Sequence, residues 1–130
     1  MKLIQLVTLS FLFVSLAFGC KHKKAYDAKT ATFIVLNNTE FAIDSLHIRS
    51  FRHETKYNYI DIQPGESQAY RYDMSEIPMV DGSFLMGYRL NDSTMRKRFG
   101  YFSNGSSPSV AYEISINVDS LTVKPAPYLN

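Results

Sequence analysis

Three histidines, a single cysteine and scattered serines and carboxylates are the groups in this 130-residue chain that could ligate a metal or serve as nucleophile and base. A zinc site needs three or four N, S or O donors converging at about 2.0–2.3 Å. His22 falls in a lysine-rich segment, and His47 and His53 share strand parity, six residues apart. On one extended strand they would stand about 20 Å apart, too far to share an ion. No metal site and no cofactor is expected. Nucleophilic catalysis needs Ser or Cys beside a base that a third group orients. No Gly-x-Ser-x-Gly occurs, and Gly65-Glu66-Ser67 follows Pro64, which makes it a turn entering a strand. No glycine-rich phosphate cradle opens a helix, and spacing singles out no carboxylate pair. The expectation is a protein that is not an enzyme. The competing reading is a site whose residues converge only in three dimensions.

The nine tyrosines are the other groups with binding chemistry, since each offers a large apolar ring and a polar tip. Tyr57, Tyr59, Tyr70, Tyr72, Tyr88, Tyr101 and Tyr112 all fall on predicted strands. Half-buried strand positions favour tyrosine for its β-propensity alone, and that accounts for most of them. Tyr57 and Tyr59 share one strand face opposite Ile60 and Ile62, and they are the candidate exposed binding patch. Arg96-Lys97-Arg98 interrupts an otherwise apolar strand. It reads first as charge guarding a sheet edge, and second as a contact for an acidic partner or a lipid headgroup.

The elements that position these groups are short strands. Ala31 to Asn37 is β-branched and aromatic, and Ile43 to Phe51 sets Leu46 and Ile48 against His47 and Arg49. Tyr57 to Ile62 and Ser67 to Asp73 flank Pro64-Gly65-Glu66. Phe84, Met86, Tyr88 and Leu90 alternate, Asn91-Asp92-Ser93 turns the chain, and Met95 to Phe102 returns. Tyr112, Ile114, Ile116 and Val118 alternate against Glu113, Ser115 and Asn117, and a last strand covers Leu121 to Lys124. No stretch holds a helical period. The predicted fold is all-β, a single antiparallel β-sandwich of seven or eight strands, Ig-like or transthyretin-like, with a closed barrel as the competitor.

The chain opens Met1-Lys2, runs apolar from Leu3 to Gly19, and reaches Cys20, its only cysteine. A charged start, an apolar stretch and a small residue before a cut read as a secretory signal, and the stretch is short for a membrane span of about 20 residues. Leu16-Ala17-Phe18-Gly19-Cys20 resembles the lipobox of bacterial lipoproteins. The resemblance implies cleavage before Cys20 and a diacylglycerol on its thiol. The expected organisation is a signal peptide at 1–19, a lipidated basic tether at 20–29 and a β-sandwich domain at 30–130. Residues 21–29 carry Lys21, Lys23, Lys24 and Lys29 against Asp27, a net of +3. From residue 30 onward nine Lys/Arg face eleven Asp/Glu, a net of −2. Cations beside the lipid are drawn to anionic headgroups by roughly 1 kcal/mol each. A slightly acidic body argues against nucleic acid.

Three triplets recur: Asp44-Ser45-Leu46, Asp92-Ser93-Thr94 and Asp119-Ser120-Leu121. Each resembles the O-glycosylation motif of exported Bacteroidota proteins, where average composition would give on the order of a third of one match. The implied acceptors are Ser45, Ser93 and Ser120. Asp-Ser is also ordinary turn chemistry, because both side chains bond nearby backbone. Asn37, Asn91 and Asn104 head Asn-x-Ser/Thr matches that matter only in an N-glycosylating host. The basic segment after Cys20 leans toward an outer-membrane anchor facing the periplasm. The function expected is a lipid-anchored, non-enzymatic accessory or adaptor that binds another envelope protein. The alternative is a carbohydrate- or small-ligand-binding sandwich. A flat patch with an apolar centre would favour the first; exposed tyrosines beside polar groups in a concave site would favour the second.

Overall fold

The structure, a computed structural model, describes residues 27–126. The signal segment, Cys20, the tether as far as residue 26 and the last four residues lie outside the described residues. Eight strands are present among those described: β1 (Thr30–Asn37), β2 (Ile43–Ser50), β3 (Ile60–Ile62), β4 (Ser67–Asp73), β5 (Gly82–Leu90), β6 (Ser93–Phe102), β7 (Ala111–Ile116) and β8 (Leu121–Ala126). They form two four-stranded sheets, ordered β4-β1-β7-β8 and β3-β2-β5-β6. The all-β sandwich expected from the alternating patterns is what forms.

One pair departs from the antiparallel expectation, because β1 and β7 run parallel, with Phe33 beside Tyr112 and Val35 beside Ile114. The connectivity requires it. After β4 the chain crosses to the other sheet, makes the β5–β6 hairpin, and returns at the end where β1 begins. A strand inserted beside β1 from that end must run in its direction. Parallel neighbours need such a long crossover, which a hairpin cannot supply.

The core lies between the sheets. Ala31, Phe33 and Val35 of β1, with Ile114 and Ile116 of the neighbouring β7, face Ile43, Leu46 and Ile48 of β2 and Phe84 and Met86 of β5 in the other sheet, all at most 1% exposed. Phe33 is central, its ring edge-on to Phe84 at 5.0 Å and to Phe99 at 5.7 Å, and stacked with Tyr112 at 6.0 Å. Edge-to-face packing suits the ring quadrupole. In β2 the buried positions Ile43 and Leu46 are three apart, which breaks the period of two. A bulge at Asp44–Ser45 absorbs the extra residue, with Ser45 at φ 54°.

Turn chemistry sets the hairpins. Pro64-Gly65 forms a turn closed by Glu66 N donating to Gln63 O at 3.0 Å, with Gly65 at φ 75° in the position that type II turns reserve for glycine. Asn91 and Asp92 both adopt positive φ, 47° and 63°, as a two-residue I′ hairpin demands. Asp in the left-handed region is tolerated less well than Gly. Asp92→Gly should therefore raise the urea midpoint, with a gain of about 0.5 kcal/mol. A loss of stability would mean that the Asp92 carboxylate has a role its geometry does not reveal.

The final strand runs beyond its expected end at Lys124, with Pro125 opposite Tyr112. Proline is acceptable there because β8 is an edge strand. β7 instead stops at Ile116, and Val118, expected on the buried face, is 63% exposed in the β7–β8 turn. Residues 27–29, expected as the end of the tether, are hydrogen-bonded into the sandwich. Ser107 N donates to Ala28 O at 2.8 Å, and Met74 N donates to Lys29 O at 2.7 Å.

Candidate functional site

The outer face of the β3-β2-β5-β6 sheet gathers the groups with binding chemistry. Strand register arranges them in rows across β2, β5 and β6. Asp44, Arg89 and Thr94 form the first row, His47, Gly87 and Arg96 the second, and Arg49, Leu85 and Arg98 the third. On β5 and β6 each row lies two residues from the next, while on β2 the bulge puts three residues between Asp44 and His47; the row side chains point away from the core.

His47 is the hub. Its ring stacks on Tyr57 with centroids 5.0 Å apart and planes 25° apart, and it meets Tyr59 edge-on at 5.2 Å. The two tyrosines touch each other at 5.5 Å, and the Tyr59 hydroxyl donates to Tyr57 Oη at 3.5 Å. Gly87 makes room for this arrangement. A Cβ there would stand 2.4 Å from His47 Cε1, so only glycine lets the imidazole lie against the sheet. His47 Nδ1 donates to the Ser45 carbonyl at 3.3 Å, since a carbonyl can only accept. Burial among the rings pushes the His47 pKa below its ordinary value, and Arg49 and Arg96 press the same way against the Ser45 hydrogen bond. The imidazole is accordingly neutral at pH 7, and the positive charge of the face resides in its arginines.

The arginines differ in how fully they are engaged. Arg89 pairs with Asp44 at 3.3 Å, an exposed ion pair. Arg49 lies 5.9 Å from the Tyr57 ring centre and donates to the Ser50 carbonyl. Arg98 lies 4.5 Å over Phe51 and donates to Ser83 Oγ at 2.7 Å. Arg96 has no carboxylate in ion-pair range among the described residues. Beside it, between Ser45, His47, Tyr59, Gly87 and Thr94, is an open hollow of about 210 Å³.

Tyr57 and Tyr59 do come together, but not as strand residues. Pairing on β3 covers only Ile60 to Ile62, and both tyrosines precede it. The segment that carries them is pinned from below. Tyr70 Oη donates to the Asn58 carbonyl at 2.7 Å, and the Tyr72 hydroxyl bonds to Thr55 Oγ1. Both rings belong to the core, so core tyrosines hold surface tyrosines in place. Tyr70→Phe should cost about 1 kcal/mol for the lost hydrogen bond. It should also speed amide exchange across residues 52–59. Unchanged exchange there would show that the aromatic cluster orders its own loop.

The three candidate sugar acceptors are all exposed. Ser45 sits at the β2 bulge, Ser93 begins β6, and Ser120 closes the β7–β8 turn, where its carbonyl accepts from Asn117 N. Ser93 and Ser120 lie at the end of the sandwich opposite Asp27. Asn37 is fully buried, which removes it as an N-linked acceptor. No group of three His, Cys, Asp or Glu is placed to hold a metal among the described residues. A larger hollow of about 530 Å³ lies at the other end of the same sheet, between Phe51, Arg52, His53, Asp81, Arg98 and Tyr101. The exposed Asp27, Asp73 and Asp81 carboxylates have pKa values lowered chiefly by backbone N–H donors of Lys29, Ser75 and Asn104, as turn-capping groups do.

Sequence reading passed over His47 as a failed metal ligand and gave Gly87 no role. The available signal was a glycine inside a strand pattern, which marks a close approach by another group. No protein-family model and no curated protein matches the chain. Among solved structures it is similar to a proposed cell adhesion protein from Bacteroides ovatus, at 12% sequence identity and a TM-score of 0.45. That match covers 75% of this chain and 44% of the other, so the chain spans less than half of that protein's length.

Proposed function

We propose that this chain is a lipid-anchored, non-enzymatic accessory protein of the bacterial cell envelope, of Bacteroidota type, that docks another envelope protein through the outer face of its β3-β2-β5-β6 sheet. The observation that carries the reading is the His47–Tyr57–Tyr59 cluster bordered by Arg49, Arg89 and Arg96. Tyr and Arg are the residues that dominate protein-binding hot spots, because rigid rings and planar guanidinium groups give much contact for little lost entropy. The lipobox-like segment ending at Cys20 supplies the anchor, and the anchor holds the face at high local concentration near its partner. Outer-membrane attachment facing the periplasm, and sugar on Ser45, Ser93 or Ser120, belong to the same proposal.

The second reading, a glycan site, draws on the same pair of rings, the exposed Tyr59 and the half-buried Tyr57. Magnitude favours the first. Small-ligand sites enclose about 300–1,000 Å³; the hollow beside Tyr59 and Arg96 holds about 210 Å³ and is open, and the 530 Å³ hollow of the same sheet is lined by neither Tyr57 nor Tyr59.

The test is affinity capture from native envelope membranes with the full chain tagged at its C-terminus. Tyr59 is 61% exposed, so Tyr59→Ala should leave stability within about 0.5 kcal/mol. Gly87→Ala should displace the His47 ring at similarly small cost. A protein captured by the wild type and lost with both variants supports the docking face. Capture that both variants retain overturns it, and an intact mass without diacylglycerol overturns the anchor.

A further inference from the structure

The outer-face arginines meet a second feature, the free edge of β6. β6 is the longest strand among those described, with ten residues, and it ends the sheet, hydrogen-bonded to β5 alone. Which of its backbone groups are free follows from the hairpin. Leu90 and Ser93 close a two-residue turn, so they form a hydrogen-bonded pair. Antiparallel pairing then alternates. Met95 and Lys97 bond to β5, and Thr94, Arg96 and Arg98 direct their N–H and C=O groups outward. Those same three residues put their side chains on the outer face, next to His47 and Gly87.

Charge selects what can pair with this edge. A second copy of β6, antiparallel and centred on Lys97, would set Arg96 opposite Arg98 twice, and like charges directly opposite are destabilising. An extended strand with carboxylates at alternate positions meets the opposite situation. Its carboxylates fall beside Arg96 and Arg98, while its backbone completes the open ladder. Arg96, with no carboxylate in range, is the first guanidinium such a strand would reach.

We propose that the β6 edge accepts an extended acidic segment of a protein partner as a fifth strand, with alternate carboxylates seated on Arg96 and Arg98. This rests on the reading of the β3-β2-β5-β6 sheet as a protein-docking surface and names the chemistry of what docks. The same charges that repel a second copy recognise the partner.

The probe is a blocked peptide of alternating Thr and Glu, about nine residues to match a strand, added to the full chain in detergent. Binding should protect the amides of Thr94, Arg96 and Arg98 from exchange and leave Met95 and Lys97 unchanged. Arg96→Glu with Arg98→Glu should weaken binding about tenfold or more, as two reversed cross-strand pairs would. Lys97→Glu, the same charge change per site on the other side of the strand, should weaken it by about threefold at most. Protection without alternation, or equal losses from Lys97→Glu, would reduce the effect to unspecific attraction and overturn the proposal. Tighter binding of polygalacturonate without amide protection would overturn it in favour of an acidic glycan. Self-association that protects the same amides without peptide would also overturn it. If the peptide fails to bind but Tyr59-dependent capture from membranes succeeds, the strand-addition proposal falls and the docking face stands.

Discussion

Asn37→Ala should cost about 4 kcal/mol, most of the stability margin of a domain this small. Asn37 ends β1 fully buried, and its amide ties together three separate stretches of chain. Nδ2 donates to Phe41 O at 2.8 Å and to Ile62 O at 2.9 Å, which joins β1 of one sheet to β3 of the other. Oδ1 accepts from Thr39 N at 3.0 Å and Thr39 Oγ1 at 2.7 Å, which fixes the β1–β2 connection. Its backbone carbonyl receives Gly65 N at 2.8 Å, so the β3–β4 turn is held as well. Alanine removes four side-chain hydrogen bonds and strands the Ile62 carbonyl and the Thr39 amide in a site closed to water. Each orphaned group costs about 1–3 kcal/mol, and a network loses more than its separate pairs. Thr39→Val removes fewer partners and should cost about 1–2 kcal/mol. Urea unfolding of both variants with unchanged m-values checks the estimate. A loss below about 1.5 kcal/mol for Asn37→Ala would mean that water enters and replaces the amide.

Asn37 also marks where sequence reading stops. In the sequence it reads only as the end of the first strand and, with Thr39 two places on, as the head of an Asn-x-Thr match. Its partners Ile62 and Gly65 are more than twenty residues away, and no local pattern encodes them. Alternation did disclose the strands, because a sheet with one wet face imposes a period of two. It failed where the chain left that period. The bulge at Ser45 shifts parity inside β2, and ladder pairing on β3 covers only Ile60 to Ile62, so the tyrosines before it lie outside the paired strand and meet the sheet through their rings on His47. Strand parity placed Tyr57 and Tyr59 on one exposed face, but both precede β3, and only Tyr59 is exposed, Tyr57 being half-buried against the core. The rest of the site was not legible, since His47, Gly87 and Arg96 come from three strands and their adjacency is a matter of register. The parallel β1–β7 pair is likewise a consequence of chain order across two sheets, which periodicity does not report.

Gly105→Ala should cost about 3 kcal/mol, and the loss should concentrate where the chain enters the sandwich. Gly105 has φ +66°, and a Cβ there would lie 2.2 Å from the Pro78 carbonyl oxygen and 3.0 Å from that of Ile77. Both are backbone atoms, so no side chain can swing aside. The left-handed backbone contributes about 1 kcal/mol and the forced separation about 2 kcal/mol. Gly65→Ala is the control, because φ is +75° there and nothing lies within 4 Å of the added carbon. It should show the backbone cost alone, about 1 kcal/mol. The difference measures how tightly the β6–β7 loop presses on the β4–β5 loop. That contact also includes Gly105 N donating to Val80 O at 2.8 Å, and Ser103 Oγ and Asn104 N both donating to the Asp81 carboxylate at 3.0 Å. The same loop holds residues 27 and 28, through Ser107 N to Ala28 O and Ser107 Oγ to Asp27 O, each 2.8 Å. Amide exchange at Ser107 and Met74 should accelerate in Gly105→Ala before the domain unfolds as a whole. These bonds tie residues 27 and 28 to the body of the sandwich, so a weakened junction would let the start of the first strand peel while the aromatic face stays folded. Equal losses in the Gly105 and Gly65 variants would show that the two loops press on each other with no energetic consequence, and the junction would then depend on β1 alone.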